Sequence, residues 1–185
     1  MDKSLLYGIG IVLLCGYFVY RSLIQKKNNV KEAIGGIDVQ LNKRYDLIPN
    51  MMKSAAKFMQ HEKDIFLEVT KLRQNAMEAT DPNARFKAEQ ELSHALHQFK
   101  LTAENYPELK SDQSMVAAMQ AMSEVEEHIA AARRFYNSAV KDYKNALEIF
   151  PTSVLAKFIG LKDIYPFYEA EEVAKARIDV NEYFK

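Results

Sequence analysis

Several residue types are scarce or missing, and each shortage narrows the choices. The 185-residue chain has no tryptophan, one cysteine, six glycines and five prolines. A single cysteine, Cys15, permits no intramolecular disulfide, so the fold is not a disulfide scaffold, although one cysteine does not fix the compartment. Scarce glycine and proline argue against a fold built from many tight turns, and the chain carries no Gly-rich phosphate loop. Excess charge is also missing: 25 basic and 25 acidic residues give a formal net charge of zero. A nucleic-acid binder normally carries a basic excess, so nucleic acid is not an expected partner. There is no His-Glu-x-x-His motif and no serine or cysteine nucleophile signature, so no catalytic residue, cofactor or small-molecule substrate is expected. No strand-like alternation appears. What is abundant is Ala, Glu, Lys and Leu, a composition suited to long helices, and the length suggests one domain.

The N-terminus holds the one long apolar run. Leu5–Tyr20 contains no charged residue, and Ser4–Ile24 contains only Arg21. That is the roughly 20 residues a membrane-spanning helix needs. Tyr17, Phe18 and Tyr20 suit an interfacial aromatic belt, and the Arg21 stem can reach the headgroups. A cleaved signal peptide is the main rival, but no Ala-x-Ala-like site follows. A lipoprotein signal at Cys15 is disfavoured by bulky Leu14 before it. Arg21, Lys26, Lys27 and Lys31 follow the run, against Lys3 and the terminal amine before it. The positive-inside rule then places the N-terminus outside and the remainder in the cytoplasm. Ser4 and Gly8 form a small-xxx-small pair of the kind that brings anchors together.

Beyond the anchor the apolar spacing is helical. Val30, Ile34, Ile37, Leu41, Tyr45 and Ile48 make one stripe, so the anchor is expected to run on as one helix. Gly35-Gly36 is read as a weak point or bend, with a close helix crossing as the alternative. Pro49 lacks an N–H and crowds the Tyr45 carbonyl, so a kink or a new helix is expected there, with Asp46 or Ile48 near the cap. A second helix then reaches about Glu78 on Met51, Ala55, Phe58, Ile65, Val69, Leu72 and Ala76. Asp81 and Pro82 start a third, over roughly Pro82–Asn105. Ser111 or Asp112 caps a fourth, running to about Phe150 on Met115, Met119, Met122, Val125, Ile129, Tyr136, Val140, Tyr143 and Leu147. Short helices are expected at Ser153–Ile159, stopped by Gly160, and within Phe167–Ala176. The predicted fold is all-α: a tail (1–3), a transmembrane helix (4–24), an antiparallel bundle of about four long helices (25–150) and a C-terminal tail (151–185).

Two sets of polar residues are candidates for function. Arg44, Asp46, Asn50, Glu62, Asn105, Arg133, Arg134 and Asn137 are read as a polar network that either fixes bundle register or binds a partner. Glu62 falls on an apolar stripe and needs a partner, for which Arg44, Arg133 and Arg134 are the candidates. Tyr45, Tyr106, Tyr136 and Tyr143 are expected to bury their rings and give their hydroxyls to such bonds. The second set is Glu91, His94 and His97. Glu91-x-x-His94 has the spacing of half a di-iron carboxylate site, but the second Glu-x-x-His is missing, and Glu124, Glu127 and His128 substitute poorly.

Four strings carry a family resemblance: IDVQLNKRYDLIPN (37–50), HEKDIFLEVTKLR (61–73), AENYPELKSD (103–112) and ARRFYNSAVKDYKNALEIFP (132–151). With an anchor before them, the chain resembles the LemA family of bacterial membrane-anchored helical proteins. The resemblance implies one N-terminal membrane helix and a long-helix bundle, and it transfers no enzymatic activity. The family is associated with envelope and stress functions, and some relatives with membrane organelle formation. One departure stands out. The family pattern often has a tryptophan just before IDVQ, where this chain has Ala33-Ile34-Gly35-Gly36. The expected function is a non-enzymatic scaffold or adaptor of the bacterial inner membrane, acting by self-association into a homo-oligomer or by docking an envelope partner. The alternatives are a metal-dependent enzyme or metal-binding protein using Glu91, His94 and His97, and a membrane-remodelling surface using Lys26, Lys27, Lys31, Lys43 and Arg44.

Overall fold

The computed structural model describes residues 3–168. Six helices appear in order: α1 (Lys3–Ala55), α2 (Lys63–Glu78), α3 (Pro82–Ala103), α4 (Pro107–Ser111), α5 (Gln113–Glu148) and α6 (Thr152–Phe158). No strand occurs among the described residues. The four long helices alternate in direction. α1 packs on α5 and α2 packs on α3, giving two antiparallel pairs that share one core. The buried stripe of α1 is Val30, Ala33, Ile37, Leu41, Tyr45, Ile48, Met51 and Ala55, spaced by three and four residues as one helical face requires. On α5 the matching stripe is Met115, Met122, Val125, Ile129, Tyr136, Val140 and Tyr143.

The helix ends follow local chemistry. Asp81 Oδ2 accepts from the Ala84 N–H at 2.9 Å, with Pro82 opening α3. Asp112 Oδ1 accepts from the Met115 N–H at 2.9 Å and starts α5. The end of α6 is a Schellman turn. Gly160 takes φ 71°, its N–H reaches the Lys157 carbonyl at 3.2 Å, and the Leu161 N–H reaches the Ala156 carbonyl at 2.9 Å. Gly35-Gly36 does not interrupt α1, and an added Cβ at either would meet nothing within 4 Å, so no close helix crossing explains them.

Of the two expectations for Pro49, the new helix is overturned. α1 continues through it for 53 residues to Ala55, and the break falls in the turn before Lys63. Met51 and Ala55 therefore belong to α1, Phe58 belongs to the turn, and the second helix begins at Lys63. The reason lies in another helix. Proline leaves the carbonyl four residues earlier without its helical donor, and that carbonyl belongs to Tyr45. Arg73 of α2 donates its Nε–H to the Tyr45 carbonyl at 2.8 Å. The orphaned acceptor is thereby satisfied inside the bundle.

Two further differences concern connections. Leu109 anchors a short α4 that the periodicity did not predict. After α6, residues 161–168 form no helix but lie along α5 as an extended strap. Tyr143 donates to the Lys162 carbonyl at 3.1 Å, Tyr136 to the Pro166 carbonyl at 2.7 Å, and Asn137 bonds both the N–H and the carbonyl of Tyr168 at 2.8 Å. Phe167 and Tyr168 are thus non-helical, and the rest of the helix expected within Phe167–Ala176 lies outside the described residues.

The N-terminal part of α1 is long and apolar enough to cross a membrane. From Tyr7 to Phe18 its side chains are exposed: Leu13 is 69% exposed, Val12 70% and Tyr17 59%.

Arg73→Ala in the full-length chain should lower stability by about 1–2 kcal/mol, the effect of an unsatisfied buried carbonyl. In a Pro49→Ala background position 49 regains an N–H, so the same change should cost less. Thermal unfolding in detergent, run as a double-mutant cycle, reads the coupling. Strictly additive effects would refute the link between Pro49 and Arg73.

Candidate functional site

The densest polar chemistry sits where α1 meets the other three long helices. Arg44 is fully buried and faces α3 and α5. Its Nη1 donates to Ser93 Oγ and to Glu126 Oε1, each at 3.0 Å, and its Nη2 donates to Glu89 Oε2. Glu89 is also fully buried, and its other oxygen accepts from the Tyr45 hydroxyl. Tyr45 in turn receives Arg73 on its backbone carbonyl. Two adjacent residues of α1 therefore hold α2, α3 and α5. Lower on the bundle Arg85 pairs with Asp38 at 2.8 Å and ties α3 to α1 again. Burial pushes the Tyr45 phenol above its ordinary pKa, with Arg44 opposing the shift, so the hydroxyl keeps the proton it gives to Glu89.

A groove opens beside this cluster, between α3 and α5. Its inner part, about 270 Å³, is lined by Ser93, His97, Met119, Met122 and Glu126. Its outer part, about 350 Å³, is lined by Ala103, Leu109, Met115, Val116 and Met119. Lys100, Met119 and Ser123 border both parts, so the groove is continuous. Methionine dominates its apolar wall, and Ser93 and Glu126 at its inner end are bonded to Arg44.

The predicted polar residues do not form one network. Arg44 is at the cluster just described. Glu62 is 44 positions away from its actual partner: its Oε1 accepts from the Tyr106 hydroxyl at 2.9 Å, tying the α1–α2 turn to the start of α4. None of Arg44, Arg133 or Arg134 is its partner. That carboxylate raises the pKa of Tyr106 by accepting a hydrogen bond from its hydroxyl, which favours the protonated phenol. Arg133 and Asn137 serve the strap. The Arg133 guanidinium lies 4.5 Å from the Tyr168 ring centre, and Asn137 bonds the Tyr168 backbone. Asp46, Asn50, Asn105 and Arg134 are exposed and take no part in these contacts. Of the four tyrosines, Tyr45 and Tyr106 donate to carboxylates, whereas Tyr136 and Tyr143 donate to strap carbonyls.

Glu91, His94 and His97 lie exposed on α3, and among the described residues no three His, Cys, Asp or Glu side chains are placed to hold a metal ion. Arg44 cannot contribute to a basic lipid-facing surface with Lys26, Lys27, Lys31 and Lys43, because it is buried. Glu89, Ser93, Glu126 and Arg73 are the residues that sequence reasoning missed. Glu89 had a signal: it extends the Leu92–Leu96–Phe99 row of α3 by one turn, so it is a carboxylate on a core face.

Removing one partner of a buried ion pair strands the other, so Arg44→Ala should cost about 3–5 kcal/mol. The apolar set Arg44→Met, Tyr45→Phe and Glu89→Leu should recover most of that loss in thermal unfolding. Tyr136 offers a pH test. Burial raises its pKa from 10.0 to about 12. The folded form holds this proton more tightly than the unfolded chain, so its stabilising effect is intact below pH 10 and is lost as pH rises toward 12. Tyr136→Phe should flatten the decline of the unfolding midpoint over that range.

Comparison with known proteins closes the question of kinship. The family model described as LemA family matches residues 33–181. The chain is similar to the protein named Protein LemA from Metamycoplasma hominis, 21% identical over 171 residues, which cover 90% of this chain and 78% of that one. The matched residues run from the middle of α1 to the end of the described chain, taking in the Arg44 cluster, the groove and the strap. The chain belongs to the LemA family.

Proposed function

We propose that the protein is a non-enzymatic, membrane-anchored scaffold or adaptor of the bacterial envelope. The N-terminal part of α1 is the anchor in the inner membrane, with the N-terminus outside and the bundle in the cytoplasm. Support comes from the exposed apolar length of α1 and from Arg21, Lys26, Lys27 and Lys31 just after it. The observation that carries the docking role is the continuous α3–α5 groove. Methionine side chains are flexible and polarisable, so a wall built from Met115, Met119 and Met122 can adapt to the apolar face of an incoming helix. The occupant is an amphipathic helix of an envelope partner. A second copy of this chain is the other source of such a helix, and it would make the protein a homo-oligomer.

A photo-crosslinking residue at Val116, 41% exposed at the groove mouth, tests this in the full-length protein in its native membrane. A discrete crosslinked product should form, and Met119→Glu should abolish it while leaving the thermal midpoint nearly unchanged. The mass of the product separates a partner from a second copy. Crosslinks from Val116 that persist unaltered in the Met119→Glu protein would rule the groove out.

A further inference from the structure

α6 and the turn before it leave a large apolar surface uncovered. Phe158 is 88% exposed, Phe150 78%, Val154 60% and Ile149 59%. The opposite side of α6 is not free. Ala156 and Leu155 pack with Leu161 against Leu23 and Val19 of α1 and Ala146 of α5 in a small second core, where Leu23 is fully buried. The structure thus fixes these exposed phenylalanines at the height of Val19–Leu23 on α1.

That height decides what covers them. The part of α1 below this second core, Lys3–Phe18, is about 24 Å long at 1.5 Å per residue. The hydrocarbon core of a bilayer is about 30 Å thick. A span of full length, Ser4–Ile24, includes both Val19 and Leu23, the residues that carry α6. A membrane crossed by α1 therefore meets α6 at its near surface. The outward side chains suit that layer: Phe150, Val154 and Phe158 supply apolar bulk, and Lys157 and Lys162 supply charge for anionic headgroups. Tyr17 and Tyr20 on α1 stand exposed at the same level.

We propose that α6 and the α5–α6 turn form a second membrane contact, a foot that inserts Phe150 and Phe158 into the interfacial layer of the leaflet on the bundle side. This rests on the reading of α1 as a membrane anchor. The foot pins the bundle to the bilayer at two points and so fixes its rotation about the α1 axis. The bilayer is favoured over a protein partner because α6 packs on α1 at Val19 and Leu23, directly beside the exposed apolar segment of α1.

The experiment uses the full-length protein in phosphatidylcholine–phosphatidylglycerol vesicles containing nitroxide lipids. In a Cys15→Ser background, single variants Phe150→Cys, Phe158→Cys, Leu13→Cys and Leu67→Cys carry an environment-sensitive fluorophore. Leu67 lies on α2 at the far end of the bundle and is the aqueous reference. Positions 150 and 158 should show blue-shifted emission and quenching by a shallow nitroxide, with position 13 quenched by a deep one. If 150 and 158 match 67 while 13 is deep, the foot is wrong and the anchor stands. If 13 also matches 67, the anchor reading fails and the foot with it. A blue shift at 158 without lipid quenching means that protein covers the patch, and it overturns the proposal. All four sites are exposed, so each label is expected to leave the fold intact, and an unchanged thermal midpoint confirms it.

Discussion

The bundle depends on charge held without water. Arg44 and Glu89 are both fully buried, and such a pair is tolerable only when the remaining donors and acceptors are used. Most of them are here: the second oxygen of Glu89 accepts from the Tyr45 hydroxyl, and Arg44 Nη1 donates to both Ser93 and Glu126, which leaves Arg44 Nε as the one buried donor of the pair without a partner. An apolar stripe alone allows a helix to slide or rotate against its neighbours at small penalty. A buried ion pair does not, because any shift by one turn strands a charge. The Arg44 cluster therefore selects one register for α1 against α3 and α5, while the apolar core supplies the bulk of the driving force.

The neighbouring contact does for the backbone what this one does for side chains. Pro49 creates a free carbonyl at Tyr45, and Arg73 fills it. The proline defect in one helix becomes an attachment point for another. This is why α1 can stay continuous from the apolar segment through the centre of the bundle, and why α2 is held in place although its own buried stripe is short.

Much of this was legible in the sequence. The apolar rows on α1, α3 and α5 were readable because their period is local, and so were Asp81, Asp112 and Gly160, whose capping chemistry reaches only three or four residues. Pro49 misled because the donor that rescues it lies on a different helix and no local rule sees it. The position of Glu62 on an apolar stripe marks a carboxylate needing a partner, but that partner is the neutral Tyr106 hydroxyl 44 positions on, which no charge pattern points to. Glu89 carries the same mark, a carboxylate on the core row of α3. The strap was unreadable because residues 161–168 are held by side chains of α5 bonding to its backbone, which leaves no periodic mark in its own sequence. The groove was legible only as a row of methionines; that the row faces a gap rather than a neighbour follows from helices pairing as α1 with α5 and α2 with α3.

A helix without a joint is also a ruler. From Leu23, where α6 docks, to Met51, which borders the inner groove, α1 rises about 40 Å along its axis at 1.5 Å per residue. No loop intervenes that could fold down and shorten this distance. If the groove takes a partner as proposed, that partner must present itself at that height above α6, so a short juxtamembrane segment of another protein would not reach, whereas an extended tail or a tall domain would. On that reading the length of α1 would screen candidates by stature before any side chain is read.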